Sequence, residues 1–164
     1  MSDDLRPIRP GDLDAIASLF FNAVTEGATR YSEAERRAWA GPAPLSAEDW
    51  TQRFVGLDVV VAEVGGRLTG FASLRPDDGL LDHLFVAPDR QGQGTAARLL
   101  DHFTPRARWT QASRHARPFL ERHGWQVERR EVVSRDGQQL ERFVMRAPST
   151  GRTRAVGSER QGEA

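Results

Sequence analysis

The chain has 164 residues and balanced charge, 23 basic against 23 acidic, which suits one domain with one core and gives no global field for nucleic acid or a membrane surface. All the basic residues are arginine and cysteine is absent, which excludes a Schiff-base or phosphate-binding lysine, disulfides, thiolate catalysis and zinc ribbons. His83, His102, His115 and His123 lack metal-ligand spacing, and no run approaches the ~18 apolar residues that cross a bilayer, so a cytoplasmic protein without a metal is expected.

Residues 1–4 are polar and read as a loose lead into a first strand over 5–9, closed by Pro10-Gly11. Asp12 then caps a helix whose Leu13, Ile16, Ala17, Phe20 and Val24 follow the helical period. Capping boxes at Ser32-Glu33-Ala34-Glu35 and Ser46-Ala47-Glu48-Asp49 open two more helices, the first ending at Gly41-Pro42 and the second near Gly56. The period then switches. Residues 57–64, 68–74 and 80–86, separated by Gly65-Gly66 and by Pro76-Asp77-Asp78-Gly79, read as an antiparallel meander. A helix over about 95–103 is broken by Thr104-Pro105, and a short polar strand follows at 107–111. Ser113 precedes a helix that carries Phe119 and Leu120 and stops at Gly124; Pro118 sets its start near 115–117. Residues 125–133 and 139–146 form a hairpin across Arg135-Asp136-Gly137. One domain therefore spans 1–147, and 148–164 reads as a disordered tail.

The stretch from Leu84 to Leu100 carries the chemistry. An apolar strand runs through Pro88 into Gly92 and Gly94 and then directly into an amphipathic helix. Unpaired amides at a helix N-terminus, with the dipole behind them, hold a pyrophosphate without lysine or metal. A P-loop would need lysine after its last glycine, and Gly94 is followed by Thr95-Ala96. A dinucleotide fingerprint is formally met by Gly92, Gly94 and Ala97, but the preceding strand belongs to an antiparallel meander and the remaining chain is too short for two βαβαβ halves. An ordinary left-handed turn before a helix explains one glycine and not the whole series.

Gln91-Gly92-Gln93-Gly94-Thr95-Ala96 resembles motif A (Q/R-x-x-G-x-G/A) of the GCN5-related N-acetyltransferase superfamily, and Val86-Ala87-Pro88 is similar to the end of that family's fourth strand. Arg117-Pro118-Phe119-Leu120-Glu121-Arg122-His123-Gly124-Trp125 resembles its later (F/Y)-Y-E-K-x-G-F segment, and the likeness covers residues 5–147. The resemblance implies an α/β (α+β) fold with a mixed, mostly antiparallel sheet of six to seven strands flanked by helices. It also implies acetyl-CoA as co-substrate, lying between the fourth and fifth strands. Leu84, Phe85 and Val86 would then pair with the pantetheine arm, and the amides of Gln91, Gly92, Gln93, Gly94, Thr95 and Ala96 would hold the pyrophosphate. Ser113 would lie beside the pantetheine where the family often has asparagine; as N-cap of the next helix it has an equally good local role.

Direct acyl transfer to an amine needs a base, an oxyanion donor and a proton for the leaving thiolate. A carboxylate or histidine on the fourth strand often serves as base in the family, and Asp82 is favoured here over His83. Strand alternation puts Asp82 with Leu84 and Val86 on one face and His83 with Phe85 on the other. The family's proton-donating tyrosine aligns with Leu120, and the single tyrosine, Tyr31, lies between the first two helices. Only eight residues separate Leu100 from Trp109, shorter than the family's usual spacing, so the gap between the strands need not have its ordinary shape. The helices carrying Tyr31, Trp39 and Trp50, with Glu26, Glu33, Glu35 and Glu48, would border a small-molecule or peptide amine acceptor. The outer face of the last hairpin is a candidate homodimer surface. A non-catalytic acyl-CoA-binding or regulatory module on the same fold is the competing reading.

Overall fold

The computed structural model describes residues 2–149. Strand β1 (Asp4–Pro7) leads through a 3-10 turn over Pro10–Asp12 into α1 (Leu13–Asn22), whose end widens into one π turn over Ala23–Gly27. The two capping boxes open α2 (Glu33–Ala40) and α3 (Ala47–Arg53): Ser32 Oγ accepts from the Glu35 N–H and Ser46 Oγ from the Asp49 N–H. The meander is β2 (Asp58–Val64), β3 (Arg67–Arg75) and β4 (Leu80–Val86). It is followed by α4 (Thr95–Phe103), β5 (Trp109–Ser113), α5 (Arg117–Arg122) and the hairpin β6 (Gln126–Arg135) with β7 (Gln138–Arg146).

The seven strands form one sheet in the order β1-β2-β3-β4-β5-β7-β6. Every neighbouring pair is antiparallel except β4 and β5, so the sheet is mixed and mostly antiparallel, as expected. Alternation sorts its central strands onto two cores. Val60, Ala62, Ala72 and Leu74 pack against Leu99 and Phe103 of α4; Val61 and Phe71 pack against Ile16, Phe20 and Trp50 of α1 and α3. Strands covered by helices on both faces read as nearly continuous apolar runs, which is why residues 57–64 and 68–74 carry so little polar alternation. Gly70 lets the start of α4 lie against β3, since a Cβ there would stand 2.9 Å from Phe85 O and 3.2 Å from Thr95 Cγ2.

Several boundaries differ from the sequence reading, each for a local reason. The lead is not loose: Asp3 is 2% exposed and Asp4 already belongs to β1. Asp12 does not cap α1; its carboxylate accepts two hydrogen bonds from the Arg6 guanidinium, both 2.9 Å, and one from the Arg9 N–H, 2.7 Å. Strand β5 starts two residues late because the Ala107 N–H closes a turn onto Phe103 O and the Arg108 and Trp109 N–H groups bond Gly79 O. Ser113 caps a turn ahead of α5, accepting from the Ala116 N–H at 2.9 Å. Residues 150–164, most of the expected tail, lie outside the described residues. Among the described residues no helix is long and apolar enough to cross a membrane, and no group of three or more potential ligands could hold a metal ion.

Candidate active site

β4 and β5 pair only at Leu80↔Trp109 and Leu81↔Thr110, where the Thr110 hydroxyl donates to Leu81 O at 2.7 Å. Beyond that point β5 pairs with β7 alone, from Trp109↔Arg146 to Ser113↔Arg142, and β4 is left with an open edge. The Ala87 N–H donates to Thr69 O of β3 at 2.8 Å. Backbone groups alternate along a strand, so the peptide groups of Leu84 and Val86 face the opening.

A cleft of about 360 Å³ occupies this opening. Leu84, Phe85 and Val86 form one wall, Ser113, Ala116 and Phe119 the other, and Gln91, Gly92, Gly94 and Ala96 close its end. Gly92 and Gly94 have φ of +78° and +89°, and a Cβ at either would meet nothing within 4 Å. The backbone therefore faces open space at the start of α4, where the first amides of a helix have no intrahelical acceptor and the dipole favours an anion. The Gln93 side chain turns back to Asp89 O at 3.2 Å, and Thr95 is buried; neither side chain lines the cleft, so these two positions have only backbone amides to offer.

The π turn supplies a wall the sequence did not announce. Ala23, Val24 and Ala28 line the cleft, and a Cβ on Gly27 would stand 2.7 Å from Gln91 Nε2. Behind the glycine turn lies a buried polar clasp. Asp3 Oδ1 accepts from Thr69 Oγ1 at 2.6 Å and from Arg90 at 3.4 Å, and Asp3 Oδ2 accepts from Thr95 Oγ1 at 2.7 Å. Burial alone would raise this carboxyl; the two threonine hydroxyls and the Arg90 charge outweigh it and hold the pKa below its ordinary value. The clasp ties the N-terminal arm to β3, to the turn and to the first residue of α4. Arg30, Arg90, Arg122 and His115 also line the cleft, and His115 Nδ1 is buried without a partner. Three cations, an orphaned imidazole nitrogen and bare backbone at a helix start fit a nucleotide with several phosphates.

A second cleft, of about 210 Å³, meets the first at Trp39, Phe85 and Ser113. Asp82 and His83 both line it. Simple alternation would put them on opposite faces; the structure corrects this with a bulge. Ser73 pairs with His83 and Leu74 with Leu81, which leaves Asp82 as the extra residue of β4. The Asp82 side chain is 38% exposed, and its carboxylate stands 4.0 Å from His83 Nδ1. His83 is boxed by Trp50, Phe54, Phe71 and Phe85 and shares Nδ1 with Ser73 Oγ at 2.6 Å. Burial, aided by the Arg53 charge and opposed by Asp82, lowers its pKa to about 4, so the ring is neutral at physiological pH.

Tyr31 and Trp39 line the second cleft, but the phenol is engaged. It donates to Glu141 O at 2.6 Å and accepts from the Arg114 N–H at 2.7 Å, and burial raises its pKa. Leu120 lies in the core, 2% exposed, while Phe119 faces the cofactor-sized cleft. Trp50 is a core residue, 0% exposed. Glu26, Glu33, Glu35 and Glu48 do not line this cleft; Glu33 pairs with Arg37 and Glu35 completes its capping box. The charged wall is made instead by Arg53, Arg135, Glu141 and Arg142. A larger groove, about 440 Å³, lies between β1, β2 and the end of α4, away from the glycine turn.

A family model described as an acetyltransferase (GNAT) domain matches residues 28–146. The uncharacterized N-acetyltransferase YafP of Escherichia coli (strain K12) is 30% identical over 145 residues, covering 87% of this chain and 93% of that protein. Among solved structures, a GCN5-related N-acetyltransferase from Rhodopseudomonas palustris superposes with TM-score 0.81 at 28% identity, covering 90% of this chain and 96% of that one. A phosphinothricin acetyltransferase from Sinorhizobium meliloti, solved with acetyl-CoA, superposes at TM-score 0.66 and 21% identity over 90% of this chain and 89% of its own.

Proposed function

The chain belongs to the GCN5-related N-acetyltransferase (GNAT) family of acyltransferases, and on that premise we propose that it moves the acetyl group of acetyl-CoA to a primary amine of a small molecule or peptide. One observation carries the reading: the split between β4 and β5 joins a phosphate-suited cleft to a cleft that holds the Asp82 carboxylate. Acetyl-CoA supplies an activated thioester. The amides at the start of α4 hold its pyrophosphate, Arg30, Arg90 and Arg122 are the cations within reach of its other charges, and the peptide groups of Leu84 and Val86 hydrogen-bond the pantetheine arm as a further strand would.

The amine enters beside Asp82, which takes its proton directly or through one water as nitrogen attacks the thioester carbonyl. An N–H of the open β4 edge, near Leu84, receives the developing oxyanion. His83, neutral and fixed by Ser73, keeps the bulge in place and adds no charge that would repel the ammonium form. The leaving thiolate takes its proton from water or from the attacking ammonium. Tyr31 is committed to two backbone groups and Leu120 has no proton to give.

The same absence of a tyrosine donor favours a second reading, an acyl-CoA-binding module without turnover. Free-thiol release from acetyl-CoA across a panel of amines separates the two, with Gly94→Asp as the control that abolishes cofactor binding. Acetyltransfer predicts release with at least one amine and a loss of about 100-fold in kcat/KM for Asp82→Asn, with a flattened rise toward alkaline pH. An unchanged pH profile in Asp82→Asn removes the base assignment. Acetyl-CoA binding with no release for any amine selects the binding module.

A further inference from the structure

We infer that the acceptor carries an anionic oxygen group, a carboxylate or a phosphate, beside its amine, and that Arg53 and Arg135 receive it. This deepens the acetyltransfer reading and rests on it. The argument is a charge balance around the second cleft. Five charged side chains line it: Arg53, Asp82, Arg135, Glu141 and Arg142. Glu141 is already held by two guanidiniums, Arg114 at 3.1 Å and Arg130 in a short contact, and its carboxyl lies below the ordinary range for that reason. Arg142 is held by Glu131 at 2.9 Å. Neither Arg53 nor Arg135 has a carboxylate partner among the described residues.

What remains uncompensated is one carboxylate and two guanidiniums, arriving from β4, from the last residue of α3 and from the last residue of β6. His83 contributes no charge. Arg53 is anchored: its guanidinium carbon lies 5.2 Å from the Trp50 ring centroid, and that ring lies 5.6 Å from His83. Its charge is felt at His83, which places a fixed cation close to the bulge. A simple cationic amine would balance Asp82 and leave the two arginines of the lining without an anion. An amine that also bears an acid satisfies Asp82 with its ammonium and gives the two arginines an anion to share, and guanidinium favours carboxylate and phosphate through paired N–H donors.

The test is calorimetric binding to the full chain saturated with CoA, using matched probes: common α-amino acids against their primary amides, and O-phosphoethanolamine against ethanolamine. The expected result is at least about tenfold tighter binding of one acidic series over its neutral partner, the size of one lost charged hydrogen bond. The series that shows it identifies carboxylate or phosphate. Arg53→Ala and Arg135→Ala, both at exposed positions, should each remove most of that preference while CoA affinity stays unchanged. Equal binding of acid and neutral probes, binding by neither, or a preference that survives both substitutions overturns the inference. Thiol release with the same probes reads the acetyltransfer proposal separately: an acidic preference in binding without release upholds the anion site and sinks the catalysis.

Discussion

Replacing Asp3 by alanine should cost this protein about 3 kcal/mol, although the residue stands near the start of the chain. Among the described residues its carboxylate is the one acceptor for the buried Thr69 and Thr95 hydroxyls, each 1% exposed, and it faces Arg90 at 3.4 Å. Leaving a buried donor unpaired costs about 1–3 kcal/mol, so the two hydroxyls give about 2 kcal/mol at the lower end of that range, and losing the long Arg90 contact adds about 1 kcal/mol, the upper end for a weak ion pair. Asp3→Asn keeps an acceptor and should cost about half. Urea unfolding at neutral pH measures both, and it should be repeated in a Thr69→Val, Thr95→Val background, where the donors are gone and the alanine substitution should become nearly neutral. Because Thr95 opens α4 and Arg90 lines the cleft proposed for acetyl-CoA, CoA affinity should fall severalfold in Asp3→Ala even where the protein is fully folded. A cost under about 1 kcal/mol, or one equally large in the valine background, would refute the clasp.

Three further outcomes follow from the same geometry. Gly94→Ala meets no atom within 4 Å but keeps φ near +89°, so it should lose only about 1 kcal/mol in denaturant unfolding while CoA affinity, read by calorimetry, drops at least about tenfold. Tyr31→Phe strands the Arg114 N–H and Glu141 O; stability should fall by about 2 kcal/mol, and the shape of the kcat pH profile should not change, because the phenol moves no proton. His83 has a folded-state pKa of about 4 against an unfolded value near 6.5. The unfolded chain therefore binds a proton between those values that the folded chain refuses, so the contribution is whole above about pH 6.5 and falls by about 3 kcal/mol on acidification to pH 4. Denaturant titrations of wild type and His83→Gln across that window should differ in slope; parallel curves would sink the assignment.

The parts of this fold that are legible in sequence are those fixed by local chemistry. Ser32 and Ser46 with acids three residues on, the Asp136-Gly137 turn, and the glycines before Thr95 each act within a few residues, and each forms where the local pattern places it. Asp3 reads as loose in sequence because nothing near it in the chain says that Thr69 and Thr95 will stand beside it. Arg53 and Arg135 are invisible in sequence for another reason: with every cation an arginine, two that lack a carboxylate partner among the described residues stand out only by where α3 and the last hairpin carry them. The glutamates expected around the acceptor show the converse error. A helical glutamate is more often occupied by its own helix, as Glu33 and Glu35 are, than turned to a site.

The bulge at Asp82 lies between these cases, and it determines whether the two clefts can work together. Leu80-Leu81 followed by Asp82-His83 puts two apolar and then two polar residues in succession, which a regular strand with opposite faces cannot sort. The extra residue resolves it: Leu81 and Leu84 keep the α4 core, His83 and Phe85 the α1 core, and Asp82 is free to join His83 in the second cleft. The same step in β4 follows directly on Leu81, the last residue that pairs with β5. Regular alternation would have sent Asp82 toward α4 and left the second cleft without its carboxylate. Thus one inserted residue does two things at once, turning an acid into the second cleft at the point where β4 and β5 part.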